Sequence, residues 1–243
     1  MSENSSSAAR FLLPAIIGLV GGVIGAAGFA YSGLGNAAQD ERTRAYLLAN
    51  PEVLPEVFEA LQAKEMQARM APMGDDIETA YPGAVLGNPQ GSVTLVEFSD
   101  YACGYCRGSV ADVEKLIAGN DELKVVIREY PILSAESADA ARMALAAAEQ
   151  GKFAAFHHAM FAAGRPSPDT IEAAAKAAGV DLEAARAAMA SGRIDEELKA
   201  NHAMAESLQI DGTPGWVVGD QVMVGAVGLS GLQDAIAKVS SET

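Results

Sequence analysis

The apolar positions of this 243-residue chain change their spacing several times, and each change marks a different element. The first run is unbroken. Residues 11–31, with Ile16, Ile17, Leu19, Val20, Val23, Ile24 and Phe29, carry no charge, and none occurs between Arg10 and Asp40. About 20 helical residues at about 1.5 Å each cross a hydrocarbon layer of about 30 Å, so this run predicts a membrane helix. The competing reading is a cleaved signal peptide, with Gly35 and Ala37 as small residues for the peptidase. A cleavable apolar region usually has about 7–15 residues, which favours an uncleaved anchor here.

Residues 39–70 read as helical, with Leu47, Leu54 and Leu61 recurring every seven positions and Val57 and Phe58 on the same side. Asn50-Pro51 reads as a helix start, and Pro55 predicts a kink or two shorter helices. Such a stripe must be covered by the chain's own domain, by a membrane or by another copy of the chain. Residues 73–91 contain Gly74, Pro82, Gly83, Gly87, Pro89 and Gly91 and read as linker and turns. Apolar runs of strand length follow at residues 92–99 and 123–132. Between them Val110, Val113, Leu116 and Ile117 recur at helical spacing up to Gly119, so the three segments form a βαβ unit with a parallel sheet.

Residues 136–208 are alanine-rich and helical, and Gly151, residues 164–168, Gly179 and Gly192 divide them into about four helices. Pro168 and Asp181 fit helix starts. Two further apolar runs, 215–218 and 221–225, flank Gly219-Asp220 as a hairpin, and Leu229, Leu232, Ile236 and Val239 give a last amphipathic helix. The chain thus divides into an anchor segment (1–35), a helical segment (36–72), a linker (73–91) and an α/β domain (92–243) with a helical insertion at about 136–208.

Charge narrows the partners. Lys+Arg number 17 against 32 Asp+Glu, a net charge of −15, which argues against sequence-independent nucleic-acid binding because such affinity comes from neutralising phosphates. Solubility through self-repulsion is the better reading of that charge. The chain has two cysteines, Cys103 and Cys106, three residues apart. A disulfide closing so short a loop gains little chain-entropy stabilisation, so the pair is not a structural staple.

A CxxC at the start of a helix, after a buried strand, suits dithiol–disulfide exchange. The spacing lets the sulfurs bond across the first turn. The free N–H groups and positive end of the helix favour a thiolate on the leading cysteine, which makes Cys103 the exposed nucleophile. Cys106, one turn deeper, resolves a mixed disulfide by attacking Cys103. The rival is metal binding, but a closed zinc site needs four ligands, and His157, His158 and His202 lack finger spacing. A metal site shared between protomers, or weak copper(I) capture, stays open.

The segment Val96-Glu97-Phe98-Ser99-Asp100-Tyr101-Ala102-Cys103-Gly104-Tyr105-Cys106-Arg107 resembles the active-site segment of DsbA-like thiol–disulfide oxidoreductases of the thioredoxin superfamily. Asp211-Gly212-Thr213-Pro214-Gly215-Trp216 is similar to that family's cis-proline loop, and residues 44–54 resemble the N-terminal helical segment of its ScsC/Com1-like branch. The resemblance, over about residues 40–240, implies a thioredoxin-like α/β fold with an inserted all-helical subdomain, preceded here by the membrane helix and helical extension. It also implies a cis Pro214 opposite the cysteines, with Thr213, Gly104 and Tyr105 meeting the substrate. Glu97 becomes a buried acid that relays a proton for Cys106; the competing reading of Glu97 is a solvated strand-end carboxylate.

Gly104-Tyr105 stands where strongly oxidising relatives carry Pro-His, which shifts the expectation toward isomerase or reductase work. Arg107 is expected to face solvent, His157 and His158 to pack or lie at the surface, Trp216 to pack and the methionines to fill core. The expected activity is disulfide exchange with cysteine-containing client proteins, as oxidase or isomerase, without cofactor or metal. Expected partners are those clients, a membrane redox partner, and a second or third copy through residues 39–70. The alternative is a copper-binding or chaperone-like protein. Charges flanking residues 11–31 barely set an orientation, but a catalytic disulfide is most useful in an oxidising compartment, which places residues 36–243 in the periplasm.

Overall fold

The computed structural model of the chain describes residues 34–242. The expected membrane helix at 11–31 lies outside the described residues, and among these no helix is long and apolar enough to cross a membrane. They divide into two units, one ending at Leu61 and the other beginning at Gln62.

In the first unit, α1 spans Leu34–Ala49 and α2, which continues into the second unit, spans Val53–Met70. The break between them is at residues 50–52. Asn50 donates from both its backbone and its side chain to the Tyr46 carbonyl, at 2.9 and 2.8 Å, so it closes α1 instead of capping the next helix. Pro55 falls in the first turn of α2, where a backbone N–H has no helical acceptor, and α2 therefore runs on uninterrupted. The seven-residue leucine spacing consequently crosses a break: Leu47 belongs to α1, whereas Leu54, Val57, Phe58 and Leu61 share one face of α2.

The second unit is built on a five-stranded sheet of β1 (Val85–Gly87), β2 (Val93–Ser99), β3 (Leu123–Glu129), β4 (Gly215–Val218) and β5 (Gln221–Val224), in the order β1-β3-β2-β4-β5. β2 and β3 are parallel, from Val93↔Leu123 to Ser99↔Glu129, and are joined through α3 (Gly104–Gly119) as a βαβ unit; the other pairings are antiparallel. The first strand corrects the linker reading of residues 73–91. Val85 and Leu86 pair with β3, and Ile77, in a 3-10 turn at Gly74–Glu78, is buried. Three residues between glycine-rich turns are too few to show a period.

The strand period of two sorts the core into two layers. Leu95, Val125, Ile127, Trp216 and Val218 pack with residues of α3, the helical insertion and the last helix, α9 (Gly228–Glu242). Val96, Phe98, Val126, Tyr130 and Val217 pack with Ile77, Leu208 and Ile210, and with the half-buried Met66, Met70 and Met73.

The insertion contains five helices: α4 (Ala135–Ala148), α5 (Phe153–Ala163), α6 (Pro168–Ala177), α7 (Leu182–Ala190) and α8 (Arg193–Ser207). Ser167 and Thr170 form a capping box with Pro168 in the first turn of α6, and Asp181 caps α7 through the N–H groups of Glu183 and Ala184. These starts are the ones the sequence marks.

Candidate active site

β2 is buried to its end at Ser99 and then turns at Asp100-Tyr101-Ala102 into α3, which puts Cys103 at the N-cap. Asp100 holds this turn. One carboxylate oxygen accepts from the Ala102 N–H at 2.7 Å, and the other accepts from the N–H groups of Ile132 and Leu133 at 2.9 Å. The Asp100 carbonyl accepts from the Cys103 N–H at 2.9 Å. The turn and the loop after β3 are therefore fixed by one buried carboxylate.

The two thiols are unbonded. Cys103 Sγ accepts from the Cys106 N–H at 3.5 Å and donates to the Thr213 carbonyl at 3.2 Å. The Thr213–Pro214 bond is cis, Pro214 is buried, and its carbonyl accepts from the Gly225 N–H at 2.7 Å. The proline loop thus lies against the sulfur and covers it: Cys103, expected to be exposed, is 5 % accessible, and Cys106 is wholly buried. Gly104 and Tyr105 between them are exposed.

Glu97 is buried at 3 % exposure, so the solvated reading of this carboxylate fails. It shares the α3-facing side of β2 with Leu95 and Ser99 and pairs in register with Ile127 and Trp216. Burial raises its carboxyl from 4.5 to about 8, with the nearby Ser99 hydroxyl pulling the other way. Burial, reinforced by the charge of Glu97, pushes the Cys106 thiol far above its usual range. A buried thiol and a buried acid that both resist ionisation suit proton transfer between them.

Several residues around the site carried no marked role in the sequence. Glu129, on the same sheet face as Ile127, accepts from the Tyr101 hydroxyl at 3.0 Å through one oxygen, while its other oxygen is buried without a partner. The same hydroxyl lies 3.2 Å from His157 Nδ1. His157, left as packing or surface, is buried among Phe153, Phe161 and Tyr101, and burial lowers its imidazole from 6.5 to about 3. Arg107 does not face solvent freely: Nε and Nη2 donate to the carbonyls of Phe161 and Gly164 at 3.0 and 2.7 Å, which ties α3 to the end of α5. Trp216 packs as expected and donates to the Gly225 carbonyl at 3.0 Å. The one signal available for Glu97 and Glu129 was parity: Glu97 shares its strand face with Leu95, and Glu129 shares its face with Val125 and Ile127.

Two family models match the chain. The DSBA-like thioredoxin domain covers residues 94–237, and the copper resistance protein ScsC N-terminal domain covers residues 41–68. Among solved structures, a thioredoxin-like oxidoreductase from Silicibacter pomeroyi DSS-3 is 38% identical, with TM-score 0.66 over 69% of this chain and 98% of that one. The thiol-disulfide exchange protein alpha-DsbA2 from Wolbachia pipientis is 27% identical, with TM-score 0.67 over 74% and 98%. Proteus mirabilis ScsC in a transitional conformation is 25% identical, with TM-score 0.64 over 85% and 99%. A curated relative, the Na(+)/H(+) antiporter NhaA 1 of Mycolicibacterium gilvum, is 35% identical over 107 residues, which are 41% of this chain and 17% of that protein. The chain therefore spans only a small part of the curated relatives it matches. The chain belongs to the DSBA-like thioredoxin domain family, a family of thiol–disulfide oxidoreductases.

Proposed function

We propose that the chain exchanges disulfides with cysteine-containing proteins in the periplasm through Cys103 and Cys106. The observation that carries this reading is the juxtaposition of a Cys103 sulfur that accepts from the Cys106 N–H, the Thr213 carbonyl beside it, and a Cys106 thiol and a Glu97 carboxyl that are both buried. In the reducing direction, Cys103 thiolate attacks a client disulfide, forming one S–S bond and releasing one client sulfur. Cys106 then gives its proton to Glu97 and attacks Cys103 Sγ. The Cys103–client bond breaks, the client leaves reduced by two electrons, and the enzyme holds the Cys103–Cys106 disulfide. The oxidising direction runs through the same bonds in reverse. Tyr105, exposed beside the sulfurs, and the Thr213 backbone meet the client chain, while Pro214 presents no N–H there.

Residues 11–31 serve in this reading as a membrane anchor, and α1 and α2 as a surface for homodimer or homotrimer assembly. A membrane protein returns the cysteines to their starting redox state. The test is insulin reduction and refolding of scrambled ribonuclease by wild type and Cys103→Ser, with Cys106→Ser used to trap client adducts. Loss of turnover in Cys103→Ser and accumulation of a Cys103 adduct in Cys106→Ser are expected. Full activity without Cys103 sinks the proposal. The match of residues 41–68 to a copper resistance protein's domain favours a second reading, copper(I) held by the two thiolates. Stoichiometric copper(I) uptake with no disulfide exchange would establish it.

A further inference from the structure

Glu97 cannot act repeatedly unless the proton it takes can leave. A cavity of about 30 Å³ adjoins it, large enough for a water molecule, since about 10–15 Å³ suffices for one. Its polar lining is Glu97, Glu114, His157 and His158, and aliphatic side chains of β1 and α3 complete the wall. The lining runs from inside to outside. Glu97 and His157 are buried at 3 % and 2 %, whereas the His158 and Glu114 side chains are 40 % and 57 % exposed. His158 Nδ1 stands 3.2 Å from Glu114 Oε1. One wall of the cavity thus belongs to the helical insertion and another to the helix that carries both cysteines.

We infer that this cavity, closed at its outer end by His158 and Glu114, is the route by which Glu97 exchanges its proton with bulk solvent in each redox cycle. The inference rests on the proposed role of Glu97 toward Cys106. The proton passes from the Cys106 thiol to a Glu97 oxygen. It then crosses cavity water to His158 or Glu114 and leaves to solvent, and no electrons move along this path. His157 lines the route without carrying charge, because burial keeps its imidazole neutral. Tyr101 and Phe161 fix the position of its ring.

The experiment measures single-turnover oxidation of the reduced chain by glutathione disulfide, at saturating concentration and a constant pH about 1.5 units below 8, where Glu97 starts protonated and must first release that proton along the route before it can take the one from Cys106. The plateau rate then reports the intramolecular step. Fluorescence of Trp216, the sole tryptophan and a register partner of Glu97, follows it. In weak buffer, His158→Phe combined with Glu114→Gln should lower the plateau about tenfold, less than the hundredfold or more of a directly positioned acid–base group. Added imidazole should restore it. Glu97→Gln should be slower still and gain nothing from imidazole.

If the double variant keeps the wild-type plateau while Glu97→Gln is slow, the route is wrong and the role of Glu97 stands. If Glu97→Gln is not slowed, the role of Glu97 fails and the route falls with it. A slowing that imidazole does not relieve is structural and overturns the route. His158→Gln and Glu114→Gln singly supply the same readings should the double variant fold poorly.

Discussion

At Glu97 the fold accepts a cost in stability so that the site can work. Its carboxyl titrates at about 8 in the folded chain, against an ordinary 4.5. The folded state therefore holds one more proton than the unfolded state between those values. Stability from this group is complete below pH 4.5 and is lost as pH rises toward about 8, at about 1.4 kcal/mol per unit. His157 has the opposite slope: its pKa falls from 6.5 to about 3, so its contribution is complete above pH 6.5 and is lost as pH falls. Between pH 4.5 and 6.5 the two slopes cancel, and above 6.5 that of Glu97 is the one of the pair that remains. Urea unfolding of the reduced chain should therefore show a lower midpoint at pH 8 than at pH 6, and Glu97→Gln should remove most of that difference. An unchanged slope in Glu97→Gln would assign it elsewhere, with Glu129 the next candidate because burial raises its carboxyl as well.

At the scale of elements, close approaches hold the insertion and the edge strand in place. Gly83, just before β1, has φ +85°, and a Cβ there would stand 2.3 Å from the Ala148 carbonyl oxygen at the end of α4. Backbone cannot yield cheaply, so Gly83→Ala should cost about 2 kcal/mol or more, the φ strain alone being about 1. The check is a thermal midpoint. Arg107→Ala should loosen the α3–α5 junction by about 1–3 kcal/mol, because the Phe161 and Gly164 carbonyls lose a charged donor. Hydrogen exchange at the end of α5 should rise in that variant.

These contacts also show where the sequence was readable. Pro168, Asp181 and Gly219-Asp220 act through local backbone chemistry, and the helix starts and the hairpin lie where those residues put them. The CxxC was legible because its strand and helix flank it in sequence. Arg107, His157 and Glu129 acquire their roles from residues 28 to 57 positions away, and no local pattern marks such pairings.

At the scale of the whole molecule, the open matter is what covers α2. Leu54, Val57, Phe58 and Leu61, at spacings of three and four, are 40–61 % exposed, and none of the residues of α2 is buried. An amphipathic helix with its apolar face in water gains by pairing that face, and an identical helix on a second copy offers a self-complementary partner. The net charge of −15 opposes such pairing through repulsion between like surfaces. Salt screens this repulsion over about 10 Å at about 0.1 M and leaves the apolar gain intact. Residues 36–243 should therefore sediment as a dimer or trimer, with association tightening as salt rises. Leu54→Ser with Phe58→Ser and Leu61→Ser should shift that species to monomer at every salt concentration. A wild-type chain that remains monomeric at high concentration and high salt would mean that another surface, not a second copy, meets this face. Association that weakens with salt would place the contact among charged residues instead of along α2.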